Sequence, residues 1–558
     1  MSIPPPAAPV TEVPLLDAAA ARAGDERAVA AGGSWAGLME RAAGHLARGV
    51  VAAGGHGYGL KVAILVGKGN NGGDGWAAAR RLRSLGAAAW VVAVPGVDAE
   101  TSSEAADNRQ RWLDAGGRTS SGVDDLDAAL GWADVAVDAL LGTGIDGAPR
   151  GDIGVAARAL LAARARGTTV VACDIPSGVS SDDGSAPEGA VRADLTVTFG
   201  AWKRGLLLHP GAAHAGRVVV GELGAAYDPP AGDWRALTAV GAAPARLGPD
   251  SDKRRRGVVK IVAGSVGAGG AAVLCARGAL AAGAGLLTLA TPAHVQRVIV
   301  PVIPPAMTEP LAHAGEAISP KGAAQLGLDG VDVVAAGPGL TPGEGTYALA
   351  RRLLAKAPRV VLDADALNVF RDDPSELADH AGDLVLTPHE RELARVGGGS
   401  SGEEAWAHRV ERVPALAAEY GATIVAKGPG TIVAAPDGRV WVCATGSPAL
   451  GSGGTGDVLT GVIAAAVARA DDVPLAVARA VWWHGLAGEL AGAGNAGYAD
   501  ADDLVAALPG ALARARAWAD AGVAYPFVPD PQAIRAADVG IPTSGSRIAR
   551  SRGTGGRP

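Results

Sequence analysis

Cysteine is scarce in this chain: three in 558 residues, Cys173, Cys275 and Cys443, far apart and without a C-x-x-C pair. That spacing excludes a disulfide framework and a thiolate metal site, and it fits a reducing compartment. Long hydrophobic runs are missing too. Glycine and charged residues break every apolar stretch before the roughly 18–20 residues a membrane span needs. The N-terminal stretch has no basic segment leading into an apolar one, so no secretory signal is expected. There is no excess of positive charge: the net charge is −7, which gives no reason to expect nucleic-acid binding. The one basic run, KRRR at 253–256, reads as a solvated flank. What is present is 48% hydrophobic and 19% charged residues, the balance of a core-forming protein. At this length one core is not enough, so at least two domains are expected, in a cytoplasmic protein.

The order of the chain supports that division. From about residue 35 to 225, short apolar runs such as VAILVG (62–67) and TTVVACD alternate with alanine-rich helical stretches. Continuous apolar strands joined by amphipathic helices read as a parallel sheet covered on both faces. A proline-, glycine- and charge-rich stretch at 226–255 then reads as a linker. The pattern restarts at VVKIVAGS (258–265) and runs through a second α/β domain to about 525. The stretch 526–558 has no apolar face and reads as a disordered tail.

Two glycine turns carry the chemistry. The first, GKGNNGGDG at 67–75, contains a G-x-G-x-x-G between a strand and a helix, the context in which backbone N–H groups receive a pyrophosphate. A hydride-transfer site would also want an acidic residue closing the next strand. Here Asp98 comes late, after a proline–glycine turn, so that signature is incomplete. Asn70, Asn71 and Asp74 are instead residue types that ligate cations or contact sugars. Two further polar turns, DALLGTGIDG (138–147) and CDIPSGV (173–179), end later strands. In a parallel sheet these ends face one crevice, which brings Asp138, Asp174 and Ser177 towards Asn71.

In order and spacing, GKGNNGGDG, DALLGTG, DIPSGV, ADLTVTFG and HPGAAHAGRVVVGELG resemble the NAD(P)H-hydrate epimerase domain over 13–225. The resemblance implies a Rossmann-like three-layer α/β/α domain. It also implies that Asn70, Asn71, Gly72, Gly73 and Asp74, with Gly142, Thr143, Gly144, Ile145, Asp146, Gly147 and Ala148, hold the hydrated dinucleotide. By the same likeness K+ sits among Asn71, Asp138 and Ser177, and Asp174 is the acid/base residue. Trp202-Lys203 stands where the family has a proline–lysine pair, a departure expected to alter the entrance to the site.

The second turn, TGSPALGSGGTGDVLTGV (445–462), runs straight into a helix that opens with Gly456 and Asp457. N–H groups of 453–456 at the positive helix end would make an anion hole for a transferring phosphoryl group, with Asp457 placed to accept the attacking hydroxyl's proton. No Walker A sequence is present. With GPGL (337–340), LDADALN (362–368), TPHERELARV (387–396) and AKGPGTIVAAPDG (426–438), this turn resembles the ADP-dependent NAD(P)H-hydrate dehydratase domain, over 256–525. That family implies a ribokinase-like α/β fold, with Ala271, Gly339, His389 and Asp457 on the hydrated cofactor. Lys427, Gly428, Pro429, Gly430, Thr431, Gly453, Gly454, Thr455 and Gly456 would form the nucleotide site. The turn reads SPALGSGGTGD rather than the family's NPGMATGGTGD, leaving Gly453 to Asp457 intact. The expected ligands are hydrated NADH and NADPH, with ADP as phosphoryl donor accompanied by Mg2+, in a homo-oligomer. A sugar or vitamin kinase, a non-catalytic first domain and a dehydrogenase are the rival readings.

Overall fold

The computed structural model describes residues 10–94, 102–144, 147–224, 227, 234–397, 407–493 and 496–527. The chain divides into an N-terminal unit, Leu15–Asp228 with Phe527–Pro558, and a C-terminal unit, Met1–Pro14 with Pro229–Pro526. Among the described residues no helix is long and apolar enough to cross a membrane.

In the N-terminal unit seven parallel strands lie in the order Arg118–Ser121, Ala88–Ala93, Lys61–Val66, Val135–Ala139, Thr169–Cys173, Leu195–Phe199 and Arg217–Gly221. The run VAILV is buried on both sides because successive side chains alternate. Val62, Ile64 and Val66 enter the core beneath the helices Trp35–Gly54 and Asn70–Ser84. Ala63 and Leu65 enter the opposite core, beneath Leu126–Trp132 and Gly151–Ala165. Chain order reverses between Lys61–Val66 and Val135–Ala139, so the loops after those two strands part and leave a crevice at their carboxyl ends.

The C-terminal unit repeats the scheme on a larger scale. Its parallel strands run in the order Met307–Leu311, Leu286–Pro292, Val258–Val262, Val333–Ala336, Arg359–Leu362, Asp383–Leu386 and Thr423–Ala426, with antiparallel Ile432–Ala434 and Val440–Val442 beyond. Here the reversal falls between Val258–Val262 and Val333–Ala336. The helix Thr455–Val467 is buried almost all round, as its unbroken apolar run requires, and it crosses Gly269–Ala281 closely. A β-carbon on Gly461 would lie 1.9 Å from the Cys275 carbonyl oxygen, so only glycine permits that crossing.

Two features of this unit depart from the sequence reading. The stretch 226–255 is not featureless: Trp234–Leu237 is a strand parallel to Val440–Val442, and Leu237, Ala239 and Ala242 belong to the core. Its composition hid this because the strand is short and flanked by proline and glycine. Glu12–Pro14, not expected as a strand, pairs antiparallel with Arg235–Leu237. The tail expected over 526–558 departs at its start, where Phe527 is buried against Trp202; its remainder, 528–558, lies outside the described residues.

Glu12 fastens this edge, accepting from the Trp441 indole N–H at 2.8 Å and from Arg235 at 2.9 Å. In Glu12→Ala the buried indole N–H loses its acceptor, which costs about 1–3 kcal/mol. The expected outcome in urea is an earlier unfolding midpoint for the C-terminal unit; an unchanged midpoint would show the contact contributes nothing.

Candidate functional sites

In the N-terminal unit the first glycine turn divides its labour. A β-carbon on Gly67 would lie 1.9 Å from the Leu140 carbonyl oxygen, and one on Gly72 would lie 1.9 Å from that of Gly67. Both glycines therefore serve the close approach of strand, turn and helix. Gly73 likewise backs onto Met39 and Ala105. The helix Asn70–Ser84 starts from Gly69 with no side-chain cap, which leaves its N-terminus to an anion.

Asn71, Asp138 and Ser177 come together around Leu141. Asn71 Nδ2 donates to the Leu141 carbonyl at 2.8 Å, and the Leu141 N–H donates to Ser177 Oγ at 2.9 Å. Ser177 gives its hydroxyl to one Asp138 oxygen at 2.6 Å and its backbone N–H to the other at 2.8 Å. Burial pushes the fully enclosed Asp138 carboxyl up to about 6, against the pull of Ser177. Amide, hydroxyl and carboxylate oxygens beside one costly negative charge form a donor set that fits a hard monovalent cation. Among the described residues no three His, Cys, Asp or Glu gather as a metal cluster, so this oxygen set is of a different kind.

Asp174 ends the next strand in a left-handed conformation, φ 64°, which a non-glycine residue holds only under constraint. The constraint is visible. Its Oδ1 accepts from Lys203 Nζ at 2.5 Å, from Thr198 Oγ1 at 3.1 Å and from the Phe199 N–H at 3.1 Å. Lys203, 3% exposed, also donates to Thr198 Oγ1 at 2.9 Å and to the Phe199 carbonyl at 2.7 Å. It is thus part of the site's interior rather than its entrance, while the neighbouring Trp202 is buried edge-on against Phe527. Burial first, then the charges of Asp174 and Asp25, raise Asp74 well above the usual carboxylate range. Asp25 is itself raised by burial and accepts from the Tyr227 hydroxyl at 2.5 Å. Asn70, Gly144, Gly147 and Ala148 are exposed, a β-carbon on Gly142 would lie 3.3 Å from that of Asn71, and the Thr143 carbonyl accepts from Ser181; Ile145 and Asp146 lie outside the described residues. Sequence reasoning missed Asp25 and the pairing of Lys203. FGAWKRG carried the lysine, but nothing in sequence aimed it at Asp174.

In the C-terminal unit the chemistry again lines the carboxyl ends of the parallel strands. Asp363, 1% exposed, follows Arg359–Leu362. It accepts from Lys427 Nζ at 2.6 Å, Thr387 Oγ1 at 2.8 Å and Thr460 Oγ1 at 2.7 Å. Burial would raise its carboxyl, but the Lys427 charge and these hydrogen bonds outweigh burial and hold it low. Burial works against the Lys427 ammonium as well, and Asp363 and Glu392 more than restore it. Asp457, in the first turn of Thr455–Val467, is pushed up to about 7 by burial and then by the negative charge of Asp363. That helix starts from Gly454, φ 88°, without a side-chain cap. Gly453 is exposed and Thr455 is not: its hydroxyl donates to the Leu450 and Ser452 carbonyls and holds the turn.

His389 is half exposed. Its Nδ1 accepts backbone N–H groups from Arg391 and Glu392, so the neutral ring carries its proton on Nε2; burial and Lys427 lower its basicity. Lys427, Gly428, Pro429, Gly430 and Thr431 form a tight turn closed by the Thr431 hydroxyl donating to the Gly428 carbonyl at 2.8 Å. Ala271 and Gly339 meet across the switch point, where a β-carbon on Gly339 would lie 3.2 Å from that of Ala271. Thr341 (φ 69°) donates its N–H to Asp365, beside Ala364 (φ 45°), so two strained non-glycine residues join this loop to the Asp363 bend. Asp363, Thr387 and Thr460 had been missed as site residues, although LDADALN and TPHE contained two of them.

The family model for NAD(P)H-hydrate dehydratase matches residues 259–510, and the model for the YjeF-related protein N-terminus matches 36–205. A bifunctional NAD(P)H-hydrate repair enzyme of Moorella thermoacetica is 36% identical over 446 residues, covering 77% of this chain and 83% of that one. One from Thermofilum pendens is 35% identical, covering 86% and 91%. Among solved structures, an ADP/ATP-dependent NAD(P)H-hydrate dehydratase from Bacillus subtilis is 33% identical over 50% of this chain and 96% of its own, with a TM-score of 0.44.

The raised Asp138 has a measurable consequence. Its folded value of about 6 exceeds the ordinary 3.8, so its contribution to stability is complete below pH 4 and lost as pH rises through 6. That difference corresponds to about 3 kcal/mol. Between pH 4 and 7 wild type should lose stability relative to Asp138→Asn, measured by denaturant unfolding at each pH. Parallel pH dependences for the two proteins would contradict the burial argument.

Proposed function

The chain belongs to the family of bifunctional NAD(P)H-hydrate repair enzymes, and on that premise we propose a division of labour between its units. The N-terminal unit interconverts the R and S hydrates of NADH and NADPH. The C-terminal unit dehydrates the S hydrate, converting ADP to AMP and phosphate. The observation that carries this reading is Asp457: a carboxyl at about 7, in the first turn of an uncapped buried helix, facing the Lys427–Asp363 pair.

In the first site the hydroxyl leaves the carbon beside the ring nitrogen as water, assisted by the nitrogen lone pair and a proton. Water then adds to the other face and gives the proton back. Asp174, held by Lys203, Thr198 and the Phe199 N–H, is the group that passes this proton. Asn71, Asp138 and Ser177 would hold K+, whose charge offsets that of the buried Asp138 carboxylate. The helix end at Gly69, with the loop residues 142–144, 147 and 148, takes the dinucleotide.

In the second site Asp457 takes the proton of the ring hydroxyl while its oxygen attacks the terminal phosphorus of ADP. The bridging P–O bond breaks and AMP departs. The N–H groups of 453–456 and the Lys427 ammonium face the charge that develops on the phosphoryl oxygens. Phosphate, a far better leaving group than hydroxide, is then expelled by the ring nitrogen, and loss of a proton from the adjoining ring carbon restores the dihydronicotinamide. Mg2+, where it accompanies the nucleotide substrate, would supply charge neutralisation during the transfer that Asp457 and Lys427 promote. Ala271, Gly339 and His389 border the hydrated ring, and the 427–431 turn borders the nucleotide.

Both hydrates, K+ and either ADP or ATP are incubated with the purified chain, following the return of reduced nicotinamide absorbance and separating the epimers by chromatography. Asp174→Ala should slow use of the R hydrate about 100-fold or more while sparing the S hydrate. Asp457→Ala should abolish recovery without affecting epimer exchange. Because Asp457 accepts a proton only when ionised, the wild-type dehydration rate should climb with pH through about 7. Absence of nucleotide-dependent recovery with both donors would overturn the reading.

A further inference from the structure

Asp363 makes or breaks no bond in the chemistry just described, yet three elements converge on it. Thr387 follows the strand Asp383–Leu386, Lys427 follows Thr423–Ala426, and Thr460 lies in the second turn of the helix Thr455–Val467. All three donate to the one carboxylate. Thr460 also donates to the Gly456 carbonyl at 3.1 Å, so the carboxylate is tied through one hydroxyl to the turn that carries Gly456 and Asp457. Lys427 Nζ also stands 3.7 Å from where a β-carbon of Gly456 would be. The ammonium has three protons to give. Among the described residues only Asp363 lies within hydrogen-bond distance of it, with Glu392 at 4.0 Å.

We propose that Asp363 is the positioning residue of the second site: one buried carboxylate sets both the Lys427 ammonium and the uncapped end of Thr455–Val467 at the point where the phosphoryl group is transferred. The proposal rests on the phosphoryl-transfer reading above. Two buried charges are a poor way to gain stability, since desolvation offsets their attraction and apolar residues of equal volume do as well. What they supply is aim. The ammonium keeps donors unspent on its far side, and the helix end cannot drift from it without breaking the Thr460 bond.

The charge of Asp363 has its own electrostatic signature at Asp457, separable from its positioning role. The groups acting on Asp457 are Asp363 and Asp365, both negative, and the positive Lys427. The Cys275 thiol across the helix crossing is held neutral by burial, and His484, whose Nε2–H donates to the Thr455 carbonyl, is lowered to about 4 and is neutral too. Removing the Asp363 charge takes away a repulsion and leaves Lys427 unopposed, so Asp457 must ionise at lower pH.

The test compares wild type, Asp363→Asn, Asp363→Glu and Thr460→Val, measuring nucleotide-dependent recovery of reduced cofactor as a function of pH. Epimer exchange in the same preparations serves as the internal control. Asp363→Asn should lower kcat about 100-fold, the usual effect of displacing a reacting group by about an ångström. It should raise KM for the nucleotide far less, and the acidic limb of the remaining activity should shift to lower pH. Asp363→Glu should return the limb towards its wild-type position without restoring kcat. Thr460→Val, which keeps every charge, should lower kcat with the limb unmoved, and it stands as the test should Asp363→Asn fail to fold. An unchanged kcat in Asp363→Asn or Thr460→Val would overturn the proposal, as would a lower kcat in Asp363→Asn with an unmoved limb. Wild type without nucleotide-dependent recovery would instead sink the underlying reading.

Discussion

An ammonium group shut away from water survives only beside carboxylate charge, and both candidate sites are arranged around one. Lys203 in the N-terminal unit and Lys427 in the C-terminal unit each reach one buried or nearly buried aspartate, at 2.5 and 2.6 Å. Each such pair sacrifices several kcal/mol of hydration per ion, and excellent geometry is needed to recover it. The surrounding groups supply that geometry. Thr198 and the Phe199 backbone do so in one case, Thr387 and Thr460 in the other. Once the pairs are set, the directions of Asp174 and of the helix end bearing Asp457 follow.

Both pairs stand at the carboxyl ends of parallel strands, where the chain turns sharply. There lie three of the four non-glycine left-handed residues among the described ones: Asp174 in one unit, Thr341 and Ala364 in the other. Each costs of order 1–3 kcal/mol, which the rigid sheets beneath can bear. The strain buys placement in a crevice that a relaxed turn would have filled or closed.

Much of this was legible in sequence. VAILV announced a strand buried on both faces, because no polar residue interrupts it. The glycine turns at 67–75 and 453–456 marked helix N-termini that could receive phosphate, and in the structure neither helix start has a side-chain cap. Asn71, Asp138 and Ser177 could be brought together from topology alone, since their strands are neighbours. Lys203 and Asp363 could not be read in the same way. Their importance lies in a partner 29 residues away for Lys203, and in partners 64 and 97 residues away for Asp363. A charged residue at a strand end looks the same in sequence whether it caps a turn or anchors a site. The strand Trp234–Leu237 was hidden for a related reason: four residues among proline and glycine carry too little periodicity to declare themselves.

The strand Glu12–Pro14 has a consequence for how the chain is made. Its contact Trp441 lies 429 residues further on. At about 5–20 residues per second, a ribosome needs roughly 20–90 s to cover that interval. For that time the earliest strand of the C-terminal unit is out of the tunnel with its destination unwritten. Residues Leu15–Asp228 of the N-terminal unit are translated in the meantime. The two units are therefore consecutive in function but interleaved in birth: the C-terminal unit is begun before residue 15 and its edge can close only after Trp441 is made. A gene split between them at residue 228 would leave its downstream product short of an edge strand that only the upstream product encodes.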